Sequence, residues 1–458
     1  MTLLLAIVAC NDPSVPPEHT GTAPEPEETG DTGDTGDTGD TGDSVAPWFS
    51  DSLSYAPFGG GSGVSRVCEQ TDRDPEAGCP GCGLDLDATL RCDTTSLWEP
   101  SVGPTADGAW FVNCKPAFYH TLKAGEALVS SSRYIQWKGQ ECDVLVHPDG
   151  TTGLLVNETV TDAEWEGGLA YDGGSGREPI IERGTYFVEP LGIALVGGVP
   201  TVWYERDGSP AAAARGVDGA WASVATDLPG EVDWRRVTVG PDGVPVGFGD
   251  RDGELVALIQ GTEYALGEGR YPYEWDVARP PPEGLPAGAA DAVLVRLADA
   301  GLAVGFVRPE GVVEHTLADT ARAVSNCDAD TCSGSCHEVY TGLEGEGTFA
   351  TARATDGGAW VVWLSTSFDR MVAYERAYIE YVGHECVVTV SDDVSAATLK
   401  LVHVAENGAV TERFAMAVPR PAPAGMAFDY VHVATGFGRV AIGYLEFAGQ
   451  VRVIALPE

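Results

Sequence analysis

The chain has 458 residues, of which 43% are hydrophobic and 21% charged, enough apolar matter for one large all-β unit or two domains. Sixty-nine acidic residues against 27 basic ones give a net charge of −42 at pH 7, which argues against nucleic acid or anionic lipid as partners, because phosphate binding needs clustered Lys and Arg. The lysines, Lys115, Lys123, Lys138 and Lys400, are scattered, so the acidity reads as solubility, suited to a salty habitat, rather than as a specific cation site.

In chain order, the first feature is an apolar run from Thr2 that ends in Ile7-Val8-Ala9-Cys10. It resembles the lipobox of bacterial lipoproteins. That resemblance implies that residues 1–9 are a signal peptide and that Cys10 is acylated on sulfur and becomes the mature N-terminus. It also implies a cell-envelope location with the membrane held through the lipid alone. Asn11 in place of Asp, by likeness to enteric lipoproteins, implies outer-membrane sorting. Secretory signals carry a basic region before the apolar stretch, yet no Lys or Arg precedes Arg66, so the expected start lies upstream of Met1. No later apolar segment approaches the roughly 18 residues that a membrane helix needs.

Residues 10–47 are Pro, Glu, Thr, Gly and Asp with almost nothing apolar, centred on a strict Thr-Gly-Asp repeat. Such a segment buries too little surface to offset its ordering entropy and is expected to be disordered. Repulsion among Asp31, Asp34, Asp37, Asp40 and Asp43 extends it. Anchor and leash form one device. Calcium is the rival reading of the repeat, but EF-hand loops place acids at alternate positions and close on a Glu. No cofactor is therefore expected, with calcium the one alternative.

Residues 48–100 form a cysteine-rich segment before the body at 101–458. Setting Cys10 aside leaves ten cysteines, an even number that reads as structural disulfides in an exported chain. They fall in two groups: Cys68, Cys79, Cys82, Cys92, Cys114 and Cys142, then Cys327, Cys332, Cys336 and Cys386. Cys79-Pro80-Gly81-Cys82 has two rival readings, a redox pair and half of a zinc site with Cys68 and Cys92. Spacing does not set the connectivity.

From about residue 102 the text is β: short runs of Val, Ile, Leu, Phe, Tyr and Trp between Asp-Gly and Gly-Gly turns. A glycine-led hairpin recurs at Gly108, Gly198, Gly243, Gly301, Gly358 and Gly438. Repetition near 40–60 residues with several strands per unit predicts a β-propeller, of six blades, or seven if residues 144–156 form their own. Paired β-sandwiches are the alternative. Two blades are expected to be disulfide-rich, because residues 134–142 parallel residues 378–386 and each follows a cysteine-rich stretch. Residues 48–66 are the expected source of a strand closing the ring against residues 428–457. The Pro-Asp-Gly turns at Pro148-Asp149-Gly150 and Pro241-Asp242-Gly243 look like those of TolB-type propeller repeats.

Catalytic signatures are absent from the sequence, so no catalytic or metal-binding residue is assigned. Ser62 and Ser175 lie in Gly-Gly-Ser-Gly runs rather than a nucleophile elbow. His337-Glu338 and His384-Glu385 lack the second His of a zinc-protease helix. Thr105-Ala106-Asp107-Gly108-Ala109-Trp110 looks like a shortened Asp-box of sialidase-type propellers, a structural turn in that family, and Trp110 and Trp360 are read as blade core. The expected function is a non-catalytic binding or scaffold module for a protein or glycan of the envelope. The alternative is an envelope hydrolase or lyase acting on a glycan through the axial funnel, using calcium held by tips such as Asp172, Asp207, Asp250 and Asp252. The sequence leaves the oligomeric state open.

Overall fold

The computed structural model describes residues 5–7, 68–92, 101–114, 117–126, 129–135, 142–158, 167–174, 176–268, 275–298, 301–317, 334–343, 349–379, 383–418, 431–447 and 450–458. The protein is a seven-bladed β-propeller of antiparallel sheets. Blade 1 runs Ser101–Thr105, Gly108–Cys114, Ala117–Leu122 and Val129–Ile135, from the axis outward. Blade 2 is Cys142–Val146, Thr152–Asn157, Gly167–Asp172 and Arg177–Gly184, so residues 144–156 do belong to a blade of their own. Blade 3 is Val188–Val196, Val199–Arg206, Ser209–Arg215 and Trp221–Val224; blade 4 is Asp233–Val239, Pro245–Arg251, Glu254–Ile259 and Thr262–Glu268. Blade 5 is Trp275–Val277, Ala292–Ala298, Gly301–Arg308 and Gly311–Thr316; blade 6 is Phe349–Arg353, Ala359–Ile379, Gly383–Val404 and Val410–Val418. Blade 7 starts with Val431–Gly436, Arg439–Phe447 and Gln450–Pro457.

The ring is closed by chain from the other end. Leu86–Cys92 pairs antiparallel with Gln450–Pro457, with Leu86 opposite Ala455, Ala88 opposite Val453 and Leu90 opposite Val451. Cys68–Asp72 adds a fifth, outermost strand. The closing strand is therefore not drawn from residues 48–66, which lie outside the described residues. Its apolar positions alternate with period two, which puts Leu86, Ala88 and Leu90 into the core against blade 1.

A four-stranded sheet that is apolar on both faces excludes water only between two neighbours. The buried residues accordingly divide into seven clusters among the described residues, one at each blade-to-blade interface. Within blade 6, Val361 and Trp363 face blade 5 while Trp360, Val362 and Leu364 face blade 7. Two paired sandwiches would give fewer, larger cores. The propeller is what this alternation produces.

The repeated hairpin is mostly the join between the first and second strands. Gly108, Gly198, Gly243, Gly358 and Gly438 all lead second strands, and Gly150 supplies the blade 2 copy. The 90-residue gap between Gly108 and Gly198 thus holds a whole blade. Gly301 is the exception, because it leads a third strand; Gly288 precedes the second strand of blade 5. The 80-residue gap after Gly358 has another cause. The two central strands of blade 6 are 21 and 22 residues long and continue beyond the blade as a ribbon joined by Gly334–Leu343. Tyr378, Ile379 and residues 383–386 lie at the end of that ribbon, whereas Tyr134 and Ile135 end the outer strand of blade 1 and Cys142 begins blade 2. The two segments share a pattern without sharing a topological position.

The glycines have two physical reasons. Gly150, Gly243 and Gly438 have φ of +83°, +73° and +68°, a region that other L-residues rarely adopt. Gly108 instead sits where a Cβ would lie 2.0 Å from the backbone oxygen of Leu122. One turn geometry also recurs: at 147–151, 216–220, 240–244, 354–358 and 405–409 the fourth residue's N–H donates to the first carbonyl and the first N–H to the fifth carbonyl. In four of these an Asp or Asn (Asp149, Asp218, Asp356, Asn407) accepts a hydrogen bond from the N–H two residues on.

Candidate functional site: the axial pocket

The innermost strands of blades 2, 3, 4, 5 and 7, with residues 280–285 of the blade 5 loop, enclose a cavity of about 320 Å³ on the propeller axis. Much of its wall is apolar, from Leu191, Ile193, Leu195, Val237 and Leu285. The charged and imidazole groups of the wall are Asp143, Arg236, Arg279 and His432, each on or beside a different inner strand, with Asp242 in the turn after the inner strand of blade 4. Local sequence explains their exposure to the axis. In Cys142-Asp143-Val144 and Val431-His432-Val433 one polar residue interrupts an apolar inner strand, and the flanking Val144, Val431 and Val433 face neighbouring blades.

Arg279 of blade 5 forms an ion pair with Asp143 of blade 2, across the ring. The same Asp143 oxygen, Oδ1, accepts the Val144 N–H at 2.6 Å. His432 Nδ1 accepts the N–H of Val102 in blade 1 at 3.3 Å, which places the ring proton on Nε2. Burial and the nearby charges of Arg279 and Arg236 push the imidazole down to about 3, so it is neutral at physiological pH. Behind this wall, Asp276 Oδ2 accepts the Thr351 N–H at 2.8 Å and links blade 5 to blade 6. Burial pushes the Asp276 carboxyl up, against the pull of Arg236 and Arg279. His432 and Asp276 are each partly accessible.

The blade 5 loop forms one rim of the cavity. Pro280, Pro281 and Pro282 follow Arg279, and the Glu283 carboxylate accepts the Phe437 N–H of blade 7. Arg353, fully buried, donates to the carbonyls of Ala290 and Gly357 at 2.9 and 3.2 Å and fixes the far end of the loop. Prolines limit backbone freedom there, so the rim is stiff.

The acidic tips singled out from sequence lie elsewhere. Asp172 accepts from Gly174 and Gly176, Asp207 from Phe187, and Asp250 from Gly253. Together with Asp252 they belong to strand ends away from the cavity wall. In Asp172, Asp207 and Asp250 the Oδ1 oxygen is taken by backbone N–H groups. Asp107 likewise closes its own turn, accepting from Thr105 Oγ1 at 3.3 Å and pairing with Lys123. Trp110 and Trp360 are buried between blades 1 and 2 and between blades 6 and 7.

Cys79 and Cys82 form a disulfide, with Cys79 packed into the core between blades 6 and 7. Cys68 is disulfide-bonded and stands opposite Cys92 in the closing hairpin. Cys114 ends a strand of blade 1 and Cys142 begins blade 2; Cys336 and Cys386 lie on the blade 6 sheet. Cys10, Cys327, Cys332, Ser62, Ser175 and the Asp repeat lie outside the described residues. Among the described residues, no three His, Cys, Asp or Glu side chains gather in a metal-ligand arrangement, and no helix is long and apolar enough to cross a membrane.

Sequence reading did not single out Arg236, Arg279, His432 or Asp143. A faint signal existed: Asp143 and His432 are single polar residues inside apolar inner strands, and the other two are arginines in a chain short of bases.

No family model and no curated protein matches the sequence. Among solved structures, the chain is similar to AofleA from Arthrobotrys oligospora, at 12% identity over 80% of this chain and 94% of that one, TM-score 0.34. It is similar to a protein from Lactobacillus plantarum, at 13% identity over 74% and 94%, TM-score 0.35. A further likeness is to TolB from Acinetobacter baumannii, at 12% identity over 79% and 80%, TM-score 0.29.

Proposed function

We propose that this chain is a lipid-anchored envelope protein, held through Cys10, that presents its propeller on the acidic tether as a non-catalytic binding module with the axial pocket as its ligand site. One observation carries the preference for binding over catalysis. The basic nitrogen of His432 is already occupied by the Val102 N–H, and a general base must be free to accept a proton from its nucleophile. Asp143 is occupied by Arg279 and Asp276 by the Thr351 N–H. The pocket therefore offers a shaped wall with fixed charges and no poised acid–base pair. The anchor and tether rest on the resemblance of Ile7-Val8-Ala9-Cys10 to a lipobox and on the composition of residues 10–47.

The test has two arms. Wild type should fractionate with membranes and take up labelled fatty acid, while Cys10→Ser should do neither. Tagged full-length protein should recover a reproducible envelope partner, in calcium and in chelator alike, and a bulky Ala434→Trp at the pocket wall should abolish recovery. Turnover of a glycan or peptide library with no partner recovered would reverse the reading in favour of an enzyme.

A further inference from the structure

We propose that the axial pocket binds an uncharged, largely apolar molecule that turns a carbonyl oxygen to the side-chain N–H groups of Trp110 and His432. This deepens the reading of the axis as a binding site and rests on it. The charges of the wall answer one another. Arg279 pairs with Asp143, Arg236 is already engaged, and Asp276 interacts with both guanidiniums. Asp242 adds a further carboxylate to the same wall, at an exposed turn. An ion of either sign would lie beside its like as well as its opposite, and would give up its hydration for no net gain. The hydroxyls are spent too: Thr238 Oγ1 donates to the Ala278 carbonyl at 3.5 Å and Thr435 Oγ1 to that of Arg353 at 2.5 Å.

Two neutral donors of the wall have no protein partner among the described residues. His432 Nδ1 takes the Val102 N–H, which leaves the imidazole proton on Nε2 unshared. Trp110 is 3% exposed, and its Nε1 is without an acceptor, whereas buried donors are ordinarily satisfied. Its indole folds over Gly103, the residue opposite it on the inner strand of blade 1. A Cβ on Gly103 would lie 2.1, 2.3 and 2.6 Å from the indole Cζ2, Cε2 and Nε1. The N–H edge of the ring is thus turned toward the axis, where Trp110 and Pro104 line the cavity. Each inner strand pairs on one side only, so its open edge offers backbone N–H and C=O alike and favours neither. The side-chain surplus is one of donors, and its complement is a carbonyl oxygen. Leu191, Ile193, Leu195, Val237 and Leu285 supply apolar surface for the rest of the molecule. A cavity of about 320 Å³ is at the small end of ligand pockets, which sets the size class.

The experiment is calorimetric titration of the full chain at pH 7 with benzylacetone and hydrocinnamamide, two neutral carbonyl probes, and with hydrocinnamate and phenethylamine as charged molecules of like size. The neutral pair should bind with a Kd of about 1 mM or tighter, and the charged pair about tenfold more weakly or worse. Trp110→Phe and His432→Phe each remove one donor and keep a ring, and each should weaken binding about threefold to tenfold, the loss of one neutral hydrogen bond. If either fails to fold, Ala434→Trp, which fills the cavity, should abolish binding of both neutral probes. Tighter binding of either ion, unchanged affinity in a donor variant or in Ala434→Trp, or no neutral probe bound at about 10 mM would overturn the proposal. Partner recovery that persists without binding of a neutral probe would overturn this ligand class and leave the binding-module reading standing. Neutral-probe binding accompanied by turnover would do the reverse.

Discussion

Replacing Asp87 by Ala tests how the ring is held closed. Asp87 lies on the closing strand and accepts two hydrogen bonds from Arg452 of the neighbouring strand, Nε to Oδ1 at 2.7 Å and Nη2 to Oδ2 at 2.6 Å. Neither side chain is more than 4% exposed. Arg452 also donates to the Tyr444 hydroxyl at 3.1 Å. Removing the carboxylate leaves a guanidinium enclosed without its counter-charge, which costs about 3–5 kcal/mol. Unfolding entropy of roughly 2.1 cal/mol/K per residue makes each kcal/mol worth about 1 °C in a body of this size, so Tm should fall by about 3–6 °C. Urea unfolding should show a matching drop in midpoint with an unchanged slope. Asp85→Ala, which breaks the more exposed pair with Arg439 at 2.6 Å, should cost less than about 1 kcal/mol. The double change Asp87→Leu with Arg452→Met removes both charges and should recover much of the loss. If Asp87→Ala cost no more than Asp85→Ala, or the double variant were no better than the single, the buried pair would not be holding the closure.

Further outcomes follow from the same geometry. Gly243→Ala should cost about 1–2 kcal/mol by forcing a Cβ into the left-handed region, and Gly108→Ala should cost more, because its Cβ meets the Leu122 carbonyl; urea midpoints compare them directly. His432 and His120 are pushed down by burial to about 3 and about 4. The unfolded chain then binds more protons than the folded one below the ordinary imidazole value near 6.5, so their contribution to stability falls as pH drops from about 6.5 toward those values. Asp276, pushed up by burial, works in the opposite sense, so the histidine effect is read from the difference between wild type and His432→Gln. Parallel loss in both proteins from pH 7 to 4 would refute it. Replacing Cys79 and Cys82 together by Ser should cost about 2 kcal/mol, the loop-closure value for so short a loop, measured as the change in Tm under non-reducing conditions.

Local physics made the repeat legible. A glycine-led turn and a run of alternating apolar residues are properties of five to ten neighbouring residues, and they mark the joins of first and second strands at Gly108, Gly198, Gly243, Gly358 and Gly438 before any contact is known. Blade 2 entered only as the seventh-blade alternative over residues 144–156, because Gly150 opens on Thr151-Thr152-Gly153, without the flanking pattern of the other copies, although its Pro-Asp-Gly turn is the same as that of Gly243. Gly301 misled for the same reason: a glycine-led strand has one local appearance whether it is second or third in its sheet.

Two things required the tertiary structure. Closure joins residues 86–91 to residues 450–455, and period-two alternation fits any strand edge, so pattern alone does not choose the partner. The axial pocket assembles Asp143, Arg236, Arg279 and His432 from four blades. In sequence Asp143 and His432 are single polar residues in apolar strands, Arg236 lies in the mixed strand Asp233–Val239 and Arg279 follows Trp275–Val277, and only the curvature of the closed ring brings them to one axis. The sequence by itself determined what each hairpin is and that both of its faces must be covered; the ring decided which polar residues share a cavity, because convergence depends on blade number and closure rather than on any local preference.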